Sequence, residues 1–249
     1  MKAHWVACLN PDGAKKMNAE LTSPRFDSRV VAGAVLAKLV SQQNFKAEVV
    51  VIGLTRGGMP VAQQVARQLD LPVYPFVVRK IGAPLNPELA CGAVASGGVV
   101  VWNESICANI GLSSKERETL RKQALADLEE RASEIGASLT SIEQFRDKSI
   151  ILVDDGIATG ASIRVAAKAL LTCGPREVCI AVPIAPRGVV QDLSSIPKCS
   201  VLCVHQVDDL EFGSVGQWYK DFTQVESETC REIARSHPQA PESYVPEAL

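Results

Sequence analysis

Short runs of apolar, largely β-branched residues recur along the chain: "EVVVIG" (48–53), "SIILV" (149–153), "EVCIAVPIA" (177–185) and "CSVLCVHQV" (199–207). A strand with one wet face alternates apolar and polar residues, whereas these runs are apolar at nearly every position. All four predict strands, and the runs within 47–53 and 148–155 predict buried ones, the former covered on both faces, the signature of a parallel sheet between helical layers. Segments of helical rhythm stand between them. "FDSRVVAGAVLAKLVSQQ" (26–43) has Asp27 or Ser28 as a cap, "MPVAQQVARQLD" (59–70) carries Pro60 in its first turn, and "ASIRVAAKALLTCG" (161–174) stops at Gly174. "PVYPFVVR" (72–79) predicts one further strand, a short helix lies near "GVVQDLSS", and another spans about 226–236. Strand–helix–strand units of this kind close by right-handed crossovers. The fold class is α/β: a mainly parallel, Rossmann-like sheet flanked by helices. A hydrophobic content of 47% with only 5% aromatics suits such a Val/Ala/Ile/Leu core.

Between residues 79 and 104 the alternation breaks. "KIGAPLNPELACGAVASGGVVVWNE" is rich in glycine and proline, and apolar stretches flank Gly97-Gly98, which predicts an inserted hairpin. A long polar helix follows over 113–139, opened by a capping box of Ser113 and Glu116. The expected organisation is an N-terminal extension over 1–24, one domain over 25–236 with the hairpin or lid at 79–104, and a frayed tail from 237.

A formal charge of −2 offers no basic footprint for nucleic acid. No apolar run reaches the ~18–20 residues of a membrane span. The first twenty residues lack a secretory pattern, so the expected compartment is the cytoplasm. The eight cysteines include no C-x-x-C pair and read as core thiols in a reducing cytosol. Three histidines, none at ligand spacing, argue against zinc.

The chemistry concentrates in "SIILVDDGIATGAS" (149–162). Asp154 and Asp155 end a strand, Gly156 to Gly160 turn the chain, and Ala161 and Ser162 open a helix. Amides of the turn and helix start form an anion site, and the hydroxyls of Thr159 and Ser162 can add donors. Two carboxylates beside a phosphate cradle make sense for a ligand with vicinal hydroxyls next to its phosphate. Each hydroxyl donated to a carboxylate contributes ~1.5–3 kcal/mol. A Walker loop would need Gly-Lys-Ser/Thr, and a dinucleotide fingerprint would place its acid about 20 residues later. A phospho-receiver pairs its acids after the first strand, and the plain structural alternative is an aspartate that caps the next helix. Upstream, "GLTRGGMPVA" (53–62) offers Arg56 as a forked cation and Gly57-Gly58 as a turn of unrestricted backbone.

"ILVDDGIATGAS" resembles the phosphoribosyl-diphosphate (PRPP) signature of type I phosphoribosyltransferases. The resemblance implies that Asp154 and Asp155 hold the ribose 2′- and 3′-hydroxyls. Gly156, Ala158, Thr159, Gly160, Ala161 and Ser162 would wrap the 5′-phosphate, and Thr55, Arg56, Gly57 and Gly58 would meet pyrophosphate. "VVRKIGAPLNPELACGAVASGG" (77–98) is similar to a bacterial subgroup of stand-alone members of unassigned acceptor, and the likeness spans roughly residues 25–235. Thr55 departs from the proline common there. In that likeness Arg79 and Lys80 face pyrophosphate or the closing segment 81–98.

The implied reaction moves the phosphoribosyl group from PRPP to a nucleobase-like nitrogen acceptor in a homodimeric salvage enzyme. Mg²⁺ would be the cofactor, touched by Asp154 and Asp155 through water. Ala158 stands where the hypoxanthine branch has an aspartate, which leaves Glu88 as a candidate base. "FGSVGQWYKDF" (212–222) resembles a purine-contacting segment, with Phe212 or Trp218 as stacking candidates and sheet-end packing as the alternative. The rival functions are a non-catalytic PRPP-sensing regulator and a hydrolase on the same fold.

Overall fold

The computed structural model describes residues 26–135 and 142–236. The predicted 1–24 extension, the 237–249 tail and the end of the long helix therefore lie outside the described residues. In chain order the elements are α1 (Arg29–Val40), β1 (Val49–Leu54), α2 (Gly58–Leu69), β2 (Val73–Phe76), β3 (Val78–Ala83), β4 (Asn86–Ala95) and β5 (Val99–Trp102). These are followed by α3 (Glu104–Asn109), α4 (Ser114–Glu134), β6 (Ser149–Val153), α5 (Ala161–Leu171), β7 (Glu177–Pro186), α6 (Arg187–Ser194), β8 (Cys199–Val207) and α7 (Ser227–Arg235).

Five strands form a parallel sheet in the order β2-β1-β6-β7-β8. The apolar runs divide between its two faces by the period of two. Val51, Ile151, Val153, Cys179 and Ala181 pack with α1, α2, α4 and α7. Val50, Ile52, Ile150, Leu152, Ile180 and Val182 pack with α5 and α6. Both faces are dry over β1, β6 and β7, which is why these strands could dispense with polar alternation, whereas the edge strand β8 leaves Ser200 exposed and His205 and Gln206 half-buried. A third cluster of Phe26, Ile184, Val207, Trp218 and Tyr219 covers the carboxyl end of β7 and β8.

The chain departs from the expected single strand at 72–79. It breaks at Val77: β2 joins the parallel sheet, while β3 pairs antiparallel with β4 in a separate sheet of order β3-β4-β5. The apolar count cannot reveal that break, because Val77 is itself buried, at 2% exposure, and sits between two buried stretches. β4 and β5 flank Ser96–Gly98, where Gly97 (φ 79°) and Gly98 (φ 72°) take the left-handed backbone that the hairpin signal required. The capping box opens α4 as expected, with Ser113 and Glu116 bonding reciprocally. Leu85 is fully exposed in the turn between β3 and β4.

The strand order fixes where a ligand belongs. From β1 the chain first steps outward to β2, and it later returns to the other side of β1 to lay down β6, β7 and β8. The order therefore reverses between β1 and β6, and a crevice opens there beyond the carboxyl ends of the strands. The register sets Gly53 beside Val153, so the loops after β1 and β6 leave the sheet side by side.

Candidate functional site

Those two loops are the ones that the sequence singled out. Asp154 and Asp155 follow directly on β6, and Gly57 and Gly58 follow on β1 at the start of α2. The glycines lie against the acids. A Cβ on Gly58 would stand 2.7 Å from the Val153 carbonyl oxygen and 2.9 Å from Asp154 Cα, and one on Gly57 would collide with the Asp155 carboxylate. No other residue allows that approach. α2 starts with no side-chain cap, and α5 starts from Gly160 (φ 74°), also with no side-chain cap. Two helix N-termini thus border the crevice with amides available to an anion. Ala158, Thr159, Ala161 and Ser162 are exposed along its rim, and Thr159 Oγ1 accepts from Ala161 N at 3.4 Å. Gly156 is packed beneath, with no room for a Cβ against Ile184 and Val215.

Asp155 is held from three directions. Arg29, the first residue of α1, donates from Nε to Asp155 Oδ2 at 2.7 Å, with side chains only 11% and 13% exposed. Tyr219 donates its hydroxyl to the Asp155 carbonyl at 2.5 Å, and Asp155 N donates to Asp154 Oδ1 at 2.9 Å. Burial pushes both carboxyls above their ordinary value; for Asp154 the neighbouring Asp155 charge adds to the rise, while for Asp155 the Arg29 hydrogen bond opposes it. Burial also pushes the Tyr219 hydroxyl up, so it stays protonated as a donor. The result is a desolvated acid pair with one member neutralised, its free lone pairs suited to hydroxyl or cationic donors.

Thr55 and Arg56 continue the first loop, joined by a cis peptide. Both line a small cleft of about 50 Å³ with Arg131, Glu134, Ile135 and Ser227. Arg56 is half-buried there. Lys80 stands apart on β3, its ammonium 3.3 Å from Glu88 in an exposed pair, and Arg79 pairs with Asp127 on α4 at 3.3 Å. Such surface pairs contribute at most ~1 kcal/mol, so neither cation is locked in place. Trp218 is buried at 8% exposure in the third cluster with Phe212 packed against it, which is the packing role rather than an open stacking platform.

Sequence reading missed Arg29, Tyr219 and Phe222. The available signal was Arg29 itself. A cation at the first position of a helix opposes the macrodipole and calls for an acidic partner.

A family model for the phosphoribosyl transferase domain matches residues 30–210. The chain belongs to that family. This phosphoribosyl transferase domain is 37% identical over 213 residues to two Mycobacterium tuberculosis proteins, from strains CDC 1551 and H37Rv, each provisionally named a phosphoribosyl transferase. The match covers 85% of the chain and 47% of each relative, so the chain spans about half the length of those curated relatives. The crystal structure of TT1426 from Thermus thermophilus is 34% identical and covers 86% of the chain and all of TT1426, with a TM-score of 0.69. The acid–glycine loop and the separate antiparallel sheet therefore sit in a type I phosphoribosyltransferase fold.

Burial pushes the Cys179 and Cys203 thiols up to about 12, and those of Cys199 and Cys230 up to about 11, so these thiols do not supply a thiolate nucleophile. Among the described residues no group of three or more His, Cys, Asp or Glu could hold a metal ion. The acid pair, with Asp155 already committed to Arg29, fits an ion carried mainly by substrate oxygens and water, as is usual for Mg²⁺. No helix among the described residues is long and apolar enough to cross a membrane.

Proposed function

We propose that this domain transfers the 5-phosphoribosyl group of PRPP to a nitrogen acceptor of nucleobase type and releases pyrophosphate. One observation carries the reading: a paired, desolvated acid site and an uncapped helix N-terminus stand within one loop, at the switch point of the sheet. A ligand with hydroxyls next to a phosphate satisfies both.

In this reading Asp154 and Asp155 accept the two ribose hydroxyls, and the amides of 158–162 with the Thr159 and Ser162 hydroxyls bind the 5′-phosphate. Gly57, Gly58 and Arg56 bind the diphosphate, and Lys80 joins when the β3–β4 hairpin closes. The C1–oxygen bond to pyrophosphate breaks, the acceptor nitrogen bonds to C1 on the opposite face, and the acceptor gives up a proton. The chain's contribution is to hold the sugar fixed and to place donors where the leaving group gathers charge. Mg²⁺, when bound with the diphosphate, supplies charge neutralisation, and Asp154 and Asp155 would touch it through water. The oxocarbenium-like sugar must be shielded from water, which suits the hairpin 81–98, with its exposed tip at 84–88, as a lid.

Asp154→Asn with Asp155→Asn is expected to lower PRPP affinity by at least about 100-fold, with the circular dichroism spectrum unchanged. Calorimetry in Mg²⁺ checks this, and undiminished affinity would refute the site. Pyrophosphate release across a panel of purines and pyrimidines separates a transferase from a PRPP sensor, which binds without turnover. A homodimer in the cytoplasm is part of the same proposal, tested by sedimentation and by fractionation.

A further inference from the structure

Arg29 is 126 residues from Asp155 in sequence and in direct contact with it. Its guanidinium is used on three sides. Nε donates to Asp155 Oδ2, Nη1 donates to the Thr223 carbonyl at 2.8 Å, and the Phe222 ring lies 3.9 Å from Cζ. The segment that supplies these last two partners is itself stapled to the start of α1. Phe26 N donates to the Trp218 carbonyl at 3.0 Å, Lys220 N to the Phe26 carbonyl at 2.9 Å, and Asp221 N to the Asp27 carbonyl at 3.1 Å. The same segment carries Tyr219, whose hydroxyl holds the Asp155 backbone. Two strips far apart in the chain thus converge on one aspartate, Arg29 on its carboxylate and Tyr219 on its backbone carbonyl. Among the described residues Asp154 has no such attachment beyond the Asp155 amide and its own loop.

We infer that Arg29, seated on Phe222 and Thr223, is a positioning residue that fixes Asp155 as the acceptor for one specific sugar hydroxyl. This rests on the sugar-phosphate reading above and names a determinant that the motif at 149–162 does not contain. With Oδ2 taken by Arg29, Asp155 has Oδ1 to offer, in a fixed plane. The guanidinium is immobilised before a ligand arrives, so little ordering remains at binding. A charged partner that only stabilised the fold would not make one hydroxyl matter more than another. Arg29 does, because it hydrogen-bonds one acid of the pair and reaches the other only through its charge.

The test compares ribose 5-phosphate with its 2-deoxy and 3-deoxy analogues, by calorimetry or ligand-observed NMR, on the whole chain. Wild type is expected to discriminate against both analogues. In Arg29→Gln, discrimination at one hydroxyl should fall by about tenfold while discrimination at the other is retained. Phe222→Leu should shift the same ratio in the same direction, and Arg29→Lys should restore part of it. If Arg29→Gln does not fold, Arg29→Lys and Phe222→Leu carry the comparison. A folded Arg29 variant that keeps both wild-type ratios, or loses both equally, overturns the positioning role while the sugar-phosphate reading stands. A wild-type chain that binds none of the three sugars overturns the reading and the inference together.

Discussion

Asp154 illustrates how a buried acid weighs on stability. Burial raises its proton affinity in the folded chain above the ordinary carboxylate value of 3.8. A group whose folded pKa lies above its unfolded one binds protons more tightly in the native state. Its favourable contribution is therefore present below 3.8 and is lost as pH rises through the folded value. The ligand-free protein is expected to lose stability across that window, and Asp154→Asn should flatten the loss. At pH 7.5 the variant should melt higher than wild type, by about 2–4 °C for a gain of ~1 kcal/mol in a chain of this size. Differential scanning calorimetry at pH 5 and 7.5 reads it. A variant that melts lower at both values would mean that the ionised carboxylate has partners that this geometry lacks.

At the scale of elements, the loops after β1 and β6 work because neither carries bulk where they meet. Gly58 has backbone, not a flexible side chain, on its open side: the Val153 carbonyl and Asp154 Cα. A methyl there must push β6 or α2 aside. Gly58→Ala should cost about 1–3 kcal/mol in urea unfolding, and it should displace Asp154 from its place, so that PRPP affinity falls further than stability alone predicts. The antiparallel sheet is a different kind of element. Its β3–β4 turn exposes Leu85 fully, with Pro84 and Pro87 close by, and its cations sit in weak surface pairs. Addition of PRPP, Mg²⁺ and an accepted base should slow hydrogen exchange at residues 81–92. Exchange unchanged there, with protection confined to 154–162, would remove the hairpin from the mechanism.

At the scale of the whole molecule, the reversal of strand order between β1 and β6 decides where the crevice opens. Two dry sheet faces supply rigidity below that point, and the third cluster of Phe26, Trp218 and Tyr219 anchors the segment that braces the acid pair. The runs at 48–53, 149–153 and 177–185 were legible as buried strands because burial on both faces forbids polar residues locally, with no need to know the neighbours. The position of the acid–glycine loop was legible for a similar reason, since its acids, glycines and hydroxyls all lie in one continuous stretch between a strand and a helix. The division of 72–79 between two sheets was not legible, because strand partners are chosen by distant segments and leave no mark on an apolar run. Arg29 reached Asp155 only through the packing of α1 against the carboxyl ends of β7 and β8, under the clasp of 218–223. Sequence alone determined the layers of this protein and the acid–glycine loop at the end of β6, since local chemistry dictates both. Tertiary structure decided which charge steadies that loop, because an ion pair between residues 126 apart exists only after the chain has closed on itself.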